Sequence, residues 1–401
     1  MSGIVVALSK PMHRHFLLTA ALCTIAVVID SHAQSSDDNV AQCRENNPNT
    51  VIAACSAVIN GNSEVSADLL VAYRNRAAVE SRRGDRRAAI ADYSAAINLE
   101  PKIPALYVSR GLAERASGDL DAAIRDYSRA IELDPAAASP YVSRGFAEAD
   151  QGALDAAIED YDRALARDDG YAFAYADRGV ARAGKGDLDR ALKDLTKAIE
   201  INPKYAFAYT NRGNIKRADG DITGAAFEYA EAIRVDRTFA LAYFNRGVLE
   251  FNARDFDLAL MDVRKAIELD PSTDIANQAR LYLWIIRARR GEREEASREL
   301  SDLLAHRPTQ YVDGWTAKRM EFLVGTVNEE ALLKAARTPP TLLPSALARR
   351  SAQADFLTGV MRMLSGDALN ARRLLAECMA LDHTPDSPYA SAKAEAMAIA
   401  P

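Results

Sequence analysis

The chain has 401 residues, 49% of them apolar and 26% charged, with 20 Gly and 15 Pro; this excludes disordered, fibrous and low-complexity classes. Fifty Lys and Arg against 56 Asp and Glu give a formal net charge of −6, which argues against a nucleic-acid footprint. Four Cys cannot build a disulfide-dense scaffold, and three of the five His (His13, His15 and His32) sit near the N-terminus, which argues against histidine catalysis or a multi-histidine metal site.

At the start of the chain, Lys10, His13 and Arg14 precede an apolar run from Phe16 to Ile29. That run has the length of a signal-peptide core and falls short of the roughly 20 residues that span a bilayer. Asp30 ends it, and Ser31-His32-Ala33 places small residues where a signal peptidase needs them. The pattern predicts a signal peptide over residues 1–33, cleaved after Ala33, and a periplasmic or secreted product. A buried N-terminal helix is one alternative. A lipid anchor on Cys23 is another, although Leu22 stands where a lipobox needs Gly, Ala or Ser. No later segment is apolar enough to cross a membrane.

Residues 34–69 read as an N-terminal cap. Ile52, Cys55 and Ile59 share one helix face in Val51–Ile59, like the second helix of a hairpin without its first. In an oxidising compartment Cys43 and Cys55 can form a disulfide; the alternative is two buried thiols.

From residue 70 a period of 34 takes over. Tyr73, Tyr107, Tyr141, Tyr175, Tyr209 and Tyr243 keep that step, each followed three residues later by Arg (Arg76 to Arg246) and then by Ala77 or a Gly (Gly111, Gly145, Gly179, Gly213, Gly247). Gly-Asp recurs at 84–85, 118–119, 186–187 and 220–221, and Ala rows run from Ala89 to Ala259 and from Ala96 to Ala266. Within each copy Gly-Asp breaks a helical pattern, and its Asp can cap the next helix. Beyond it, residues such as Ala123, Ile124, Tyr127, Ala130 and Ile131 follow one helix face. The small Gly and Ala rows let two helix backbones approach. One hairpin cannot bury its apolar face alone, whereas stacked neighbours can. The Arg row meets an acid row in the same period: Asp92, Asp126, Asp160, Asp194, Glu228 and Asp262. An ion-pair ladder between first and second helices explains both rows better than a phosphate-binding stripe does.

These six in-phase copies over residues 70–273 resemble the tetratricopeptide repeat family. The resemblance implies an all-α solenoid of antiparallel helix hairpins, a right-handed superhelix with a concave groove that receives peptide segments of partner proteins.

Beyond 273 the pattern weakens. A degenerate seventh copy fits 274–310, with Leu281, Trp284 and Ile285 ahead of Gly291-Glu292. Residues 311–401 form a divergent helical region. Trp315, Phe322, Leu323 and Leu332 mark two helices, and Pro339, Pro340 and Pro344 mark a loop. A repeat-like hairpin over about 351–384 carries Phe356, Gly359, Gly366-Asp367, Ala371, Leu375 and Cys378, and Ala390–Ala400 reads as a short terminal helix. Cys378 falls in an apolar pattern as a small core residue.

No phosphate loop, HExxH, paired CxxC or serine elbow occurs, and His306 and His383 read as loop residues. The expectation is a non-enzyme without cofactor or metal, with protein or peptide partners and no nucleic acid. Self-association through the C-terminal hairpin is a further possibility. The resemblance places the groove at positions two before and one, five and eight after each Tyr. Carried onto this sequence, it points to Val108, Leu112, Arg115, Phe146, Phe173, Val180, Phe207, Asn214, Arg217, Phe244, Val248 and Phe251. The excess of Phe over charge there suits a peptide with bulky side chains, with Phe173 and Phe207 balanced between lining the groove and packing between copies. A chaperone-tail clamp is disfavoured because Thr210 stands where its first Lys belongs. The function expected is an exported scaffold of cell-envelope assembly or maintenance. The alternatives are an envelope enzyme with its site in the C-terminal region, and a lipid-anchored assembly factor.

Overall fold

A computed structural model describes residues 38–45, 47, 50–61, 65–306, 314–338, 344–381 and 389–399. The segment assigned to export, His383, Pro339 and Pro340 lie outside them. The chain divides into two compact units, Met1–Asp169 and Gly170–Pro401. Among the described residues both are all-α, and each is a stack of antiparallel hairpins.

The first unit begins with α1 (38–45) and α2 (Val51–Asn60), followed by three hairpins: α3 (Ser66–Arg83) with α4 (Arg86–Leu99), α5 (Pro104–Ser117) with α6 (Leu120–Leu133), and α7 (Ser139–Asp150) with α8 (Leu154–Leu165). The Cys43 and Cys55 sulfurs are at bonding distance, with Cα atoms 4.9 Å apart. Both side chains are buried among Val51, Val58, Ala72 and Val79, so the pair ties α1 and α2 to the first hairpin's core. The Asn75 amide, donating to the Cys43 carbonyl at 2.9 Å, continues that tie.

The second unit stacks α9 (Ala172–Gly184) with α10 (Leu188–Ile201), α11 (Ala206–Ala218) with α12 (Ile222–Val235), α13 (Ala240–Asn252) with α14 (Phe256–Leu269), and α15 (Asp274–Arg289) with α16 (Arg293–His306). It goes on through α17 (Gly314–Leu323), α18 (Glu329–Ala336), α19 (Pro344–Leu364), α20 (Ala368–Leu381) and α21 (Tyr389–Ala398). One core runs from Phe251 through Trp284, Trp315 and Met320 to Phe356 and Ala392. His306 ends α16, its Nδ1 2.9 Å from the Asp302 carbonyl. Cys378 is buried and unpaired.

The turn chemistry follows the sequence. Gly84, Gly118, Gly186 and Gly220 hold φ between 82° and 91°, the left-handed conformation that closes a helix most cheaply with Gly. The next residue caps the following helix: the carboxylates of Asp85, Asp119, Asp187, Asp221 and Asp255 each accept from a backbone N–H three residues on. Two copies depart. The third has Ala153, and α8 begins without a side-chain cap. In the sixth, Arg254 takes the left-handed position at φ 67°, the only non-Gly residue among those described to do so.

Close approach explains the Gly row. A Cβ at Gly213 would lie 2.7 Å from the Tyr229 ring, and one at Gly111 2.7 Å from Tyr127. Where the opposing residue is Leu195 or Val263, the gap opens to 3.0–3.1 Å. α19 and α20 repeat the contact, with Gly359 against Leu375 at the same separation of 16 residues.

The Arg and acid rows meet as six ion pairs, Arg76–Asp92 through Arg246–Asp262, at 2.6–2.9 Å. Their carboxylate side chains are only 2–9% exposed, so these are partly desolvated pairs. Removing one partner from such a pair costs about 3–5 kcal/mol, against about 0–1 kcal/mol for a pair in water. Four of these guanidiniums also reach back to the helix before their own hairpin: Arg76 to Ser56, Arg110 to Ser94, Arg144 to Ser128 and Arg212 to Thr196, at 2.8–3.2 Å.

Candidate functional site

In the first unit the inner face is carried by α3, α5 and α7. Leu112 is 48% exposed, while Val108 packs partly into the cores of two successive hairpins. Arg115 spans two hairpins. It pairs with Asp150 at 2.7 Å, and its guanidinium stands 5.0 Å from the Phe146 ring centre, a cation–π geometry. Phe146 meets Tyr161 edge-on at 6.1 Å and is half-buried.

One turn behind this face lies a feature the sequence reading did not single out. Glu80, Glu114 and Glu148 recur at the 34-residue step, each beside the acid of an Arg–Asp pair. Burial, with the neighbouring Asp92, Asp126 or Asp160 carboxylate, lifts each of these Glu to about 7, and the nearby Arg only partly opposes this. In the second unit Arg182 and Lys216 occupy the equivalent positions and pair with Asp194 and Glu228 at 2.7 and 2.8 Å.

The second unit's inner face falls into two zones. On α9, Phe173 and Val180 are 47% and 38% exposed. Phe173 also lies 4.8 Å from Tyr205, which meets Phe207 at 5.7 Å, so its ring packs between copies while staying half exposed. Tyr171 extends the aromatic run, 6.1 Å from Phe173. The signal for it was present in the sequence, since Tyr171, Tyr205 and Phe239 hold the 34-residue step just ahead of each first helix.

The other zone is not open. Asn214 and Val248 are each 8% exposed, and Phe251 is 2% exposed. Phe251 is therefore no groove residue: its ring packs on Tyr282 at 5.5 Å and Phe256 at 5.9 Å, in a core that α19 and α21 complete. Its phase in the repeat puts it on the inner wall, but helices outside the repeat cover that wall. Arg217, Phe244, Asn214 and Val248 come together there around a cavity of about 600 Å³, whose far side is formed by Trp315, Arg319, Arg349 and Phe356. Gln278 and Tyr282 on α15 also line it and continue the inner-face phase into the seventh hairpin. Trp315, Arg319 and Arg349, on α17 and the first turns of α19, carried no periodic signal.

Among the described residues, no group of His, Cys, Asp and Glu is placed to hold a metal ion, and no helix is long and apolar enough to cross a membrane.

Residues 111–152 match a TPR repeat model, and residues 142–206 and 210–273 match a tetratricopeptide repeat model. Residues 111–206 and 210–273 are thus matched as tetratricopeptide repeats. The fold of this chain is similar to that of a chain of the APC/C hetero-tetramer Cut9–Hcn1, at 15% identity and a TM-score of 0.50, covering 72% of this chain and 54% of that one. MamA is similar over 39% of this chain and 92% of its own (25% identity, TM-score 0.36). YrrB, described as a TPR protein with an unusual peptide-binding site, is similar over 47% of this chain and 96% of its own (23% identity, TM-score 0.34). No curated protein sequence matches the chain.

Proposed function

We propose that this tetratricopeptide protein is an exported, non-catalytic scaffold that takes peptide segments of partner proteins onto the inner faces of its hairpins, in cell-envelope assembly or maintenance. The observation that carries the reading is the exposure of Phe173 and Val180 on the inner side of α9, flanked by Phe207 and Tyr205. Apolar area left in water forfeits about 25 cal/mol per Å², so an aromatic run kept open there favours a ligand that covers it. Leu112 offers a smaller anchor of the same kind in the first unit. Export is supported by the apolar run Phe16–Ile29, the small residues before Gln34, and a Cys43–Cys55 pair suited to an oxidising compartment.

Peptides displayed against the chain from Gln34 onward should enrich for bulky apolar side chains. Phe173→Glu combined with Val180→Glu should weaken the selected peptides by about tenfold or more, as loss of a central anchor does. Met261→Glu, at an exposed site on α14, should leave them unchanged. Equal binding by the α9 variant removes the assignment. Mass spectrometry of the mature N-terminus separates free Gln34 from acylated Cys23.

A further inference from the structure

The second helices stand on the side of each hairpin away from the inner face, and one position on them changes character along the stack. In the first unit it holds Ala91, Arg125 and Glu159; in the second it holds Lys193, Phe227, Met261 and Glu295, on α10, α12, α14 and α16. Phe227 is 61% exposed and Met261 55%. Large apolar side chains left in water, at a position that neighbouring copies give to charge, mark a contact surface. Leu258, three residues before Met261, is exposed as well, and the same position on α12 is Gly224.

The charges beside these apolar residues are ordered. At three positions spaced i, i+3 and i+7, which share a helix face, α10 brings only bases: Arg190, Lys193 and Lys197. The same positions at α16 are all acids, Glu292, Glu295 and Glu299. These three carboxylates share the buried guanidinium of Arg287, and Glu295 and Glu299 keep more than half of their side chains in water. Between the two ends, the third position is Glu231 on α12 and Lys265 on α14. Arg190, Lys197, Glu231 and Lys265 each pair with a residue three positions away, and such exposed pairs are too weak to withhold them from a better partner.

This order is its own complement. A second copy that faces this side with its helices parallel and its stack reversed brings Arg190 to Glu292, Lys193 to Glu295 and Lys197 to Glu299. In the middle Phe227 meets Met261, Gly224 leaves room for Leu258, and Glu231 meets Lys265. Three residues further along the helices Arg234 meets Glu268, while Glu200 with Asp302 is a like-charged pair at the edge. Two-fold symmetry makes each pairing twice. A symmetric dimer requires such a self-complementary patch, and charge matching of this kind sets register and partner.

We propose that two copies of the chain join through this face, in a two-fold interface with Phe227 and Met261 at its centre and α10 against α16 at each end. The interface uses none of Leu112, Phe173 or Val180, so it stands or falls apart from the peptide reading.

Sedimentation velocity of the chain from Gln34 onward should show a monomer–dimer equilibrium that weakens as salt rises. Phe227→Glu combined with Met261→Glu should weaken the dimer by about tenfold or more. Lys193→Glu alone and Glu295→Lys alone should each weaken it by about tenfold, because each sets like charges together twice. An equimolar mixture of these last two variants should dimerise again, since their charges answer each other in the mixed pair. All four sites are exposed, so the far-UV signal and capture of the selected apolar peptides should stay intact. A parent that remains monomeric below about 1 mM, as it would if another protein or a membrane covered this face, overturns the proposal. A dimer that survives the Phe227 and Met261 changes belongs to another surface, the C-terminal hairpin included, and overturns it too. So does a mixture that associates no better than its components.

Discussion

Single residues in this chain are constrained by what lies 16 positions away. Gly213 is small because Tyr229 fills the gap, and Arg76 is charged because Asp92 answers it. Such pairs are legible in a sequence when both members share one period, which is why the ladder can be written down before any coordinates. Phe251 was not legible in that way: its own phase is regular, and the α21 helix that covers it has none. The acids behind the ladder show a subtler effect. Glu114 stands 3.8 Å from Arg110, yet burial and Asp126 dominate and raise it to about 7. Its second oxygen, like those of Glu80 and Glu148, is buried without a hydrogen-bond partner. A carboxyl raised from 4.5 to about 7 on folding binds more protons in the folded state between those values. Its contribution is therefore fully present below about pH 4.5 and lost as pH rises through about 7. Replacing Glu80, Glu114 and Glu148 together by Gln should remove that loss: in thermal melts the variant should match the parent near pH 4.5 and exceed it at pH 8. Parallel melting curves across that range would refute the burial argument.

At the level of the helix, the rules are those of caps and turns, and the exceptions are informative. Five second helices of the repeat begin with a capping Asp, whereas α8 begins at Ala153 with none. Ala153 has φ −81° and ψ 61°, close to the φ −84° and ψ 75° of the capping Asp119. Ala153→Asp should therefore fit without strain and stabilise by about 0.5–2 kcal/mol, read as a higher denaturation midpoint at unchanged slope. No gain would mean that the first unit tolerates an open helix start at this turn. Helix positions in residues 66–273 follow from Gly-Asp punctuation and apolar spacing, and Gly359 with Leu375 extends the logic to α19 and α20. The candidate site was legible to a lesser degree. Phe173 and Leu112 could be placed because the inner face has a phase. Trp315, Arg319 and Arg349 could not, because they reach the same face from α17 and the first turns of α19, which lie outside the period.

For the molecule as a whole, the consequential feature is the shared reach of the Arg110 and Arg144 guanidiniums, 16 residues forward to an Asp and 16 back to a Ser. An exchange of genetic material that drops the 34 codons separating these two copies leaves that reach satisfied. Excising residues 107–140 joins Leu106 to Tyr141 and brings Arg144 into register with Ser94, the partner that Arg110 has now. Asp160 stays with Arg144, and Tyr141 can turn its hydroxyl to Pro101, as Tyr107 does at 3.0 Å. The shortened protein should melt cooperatively with undiminished ellipticity per residue, whereas a cut of 17 residues should not. Failure of the 34-residue excision to fold would mean that the copies are individually tailored. Success would make their number a quantity that duplication and loss can adjust one hairpin at a time, with the cavity near the C-terminal end carried along unaltered.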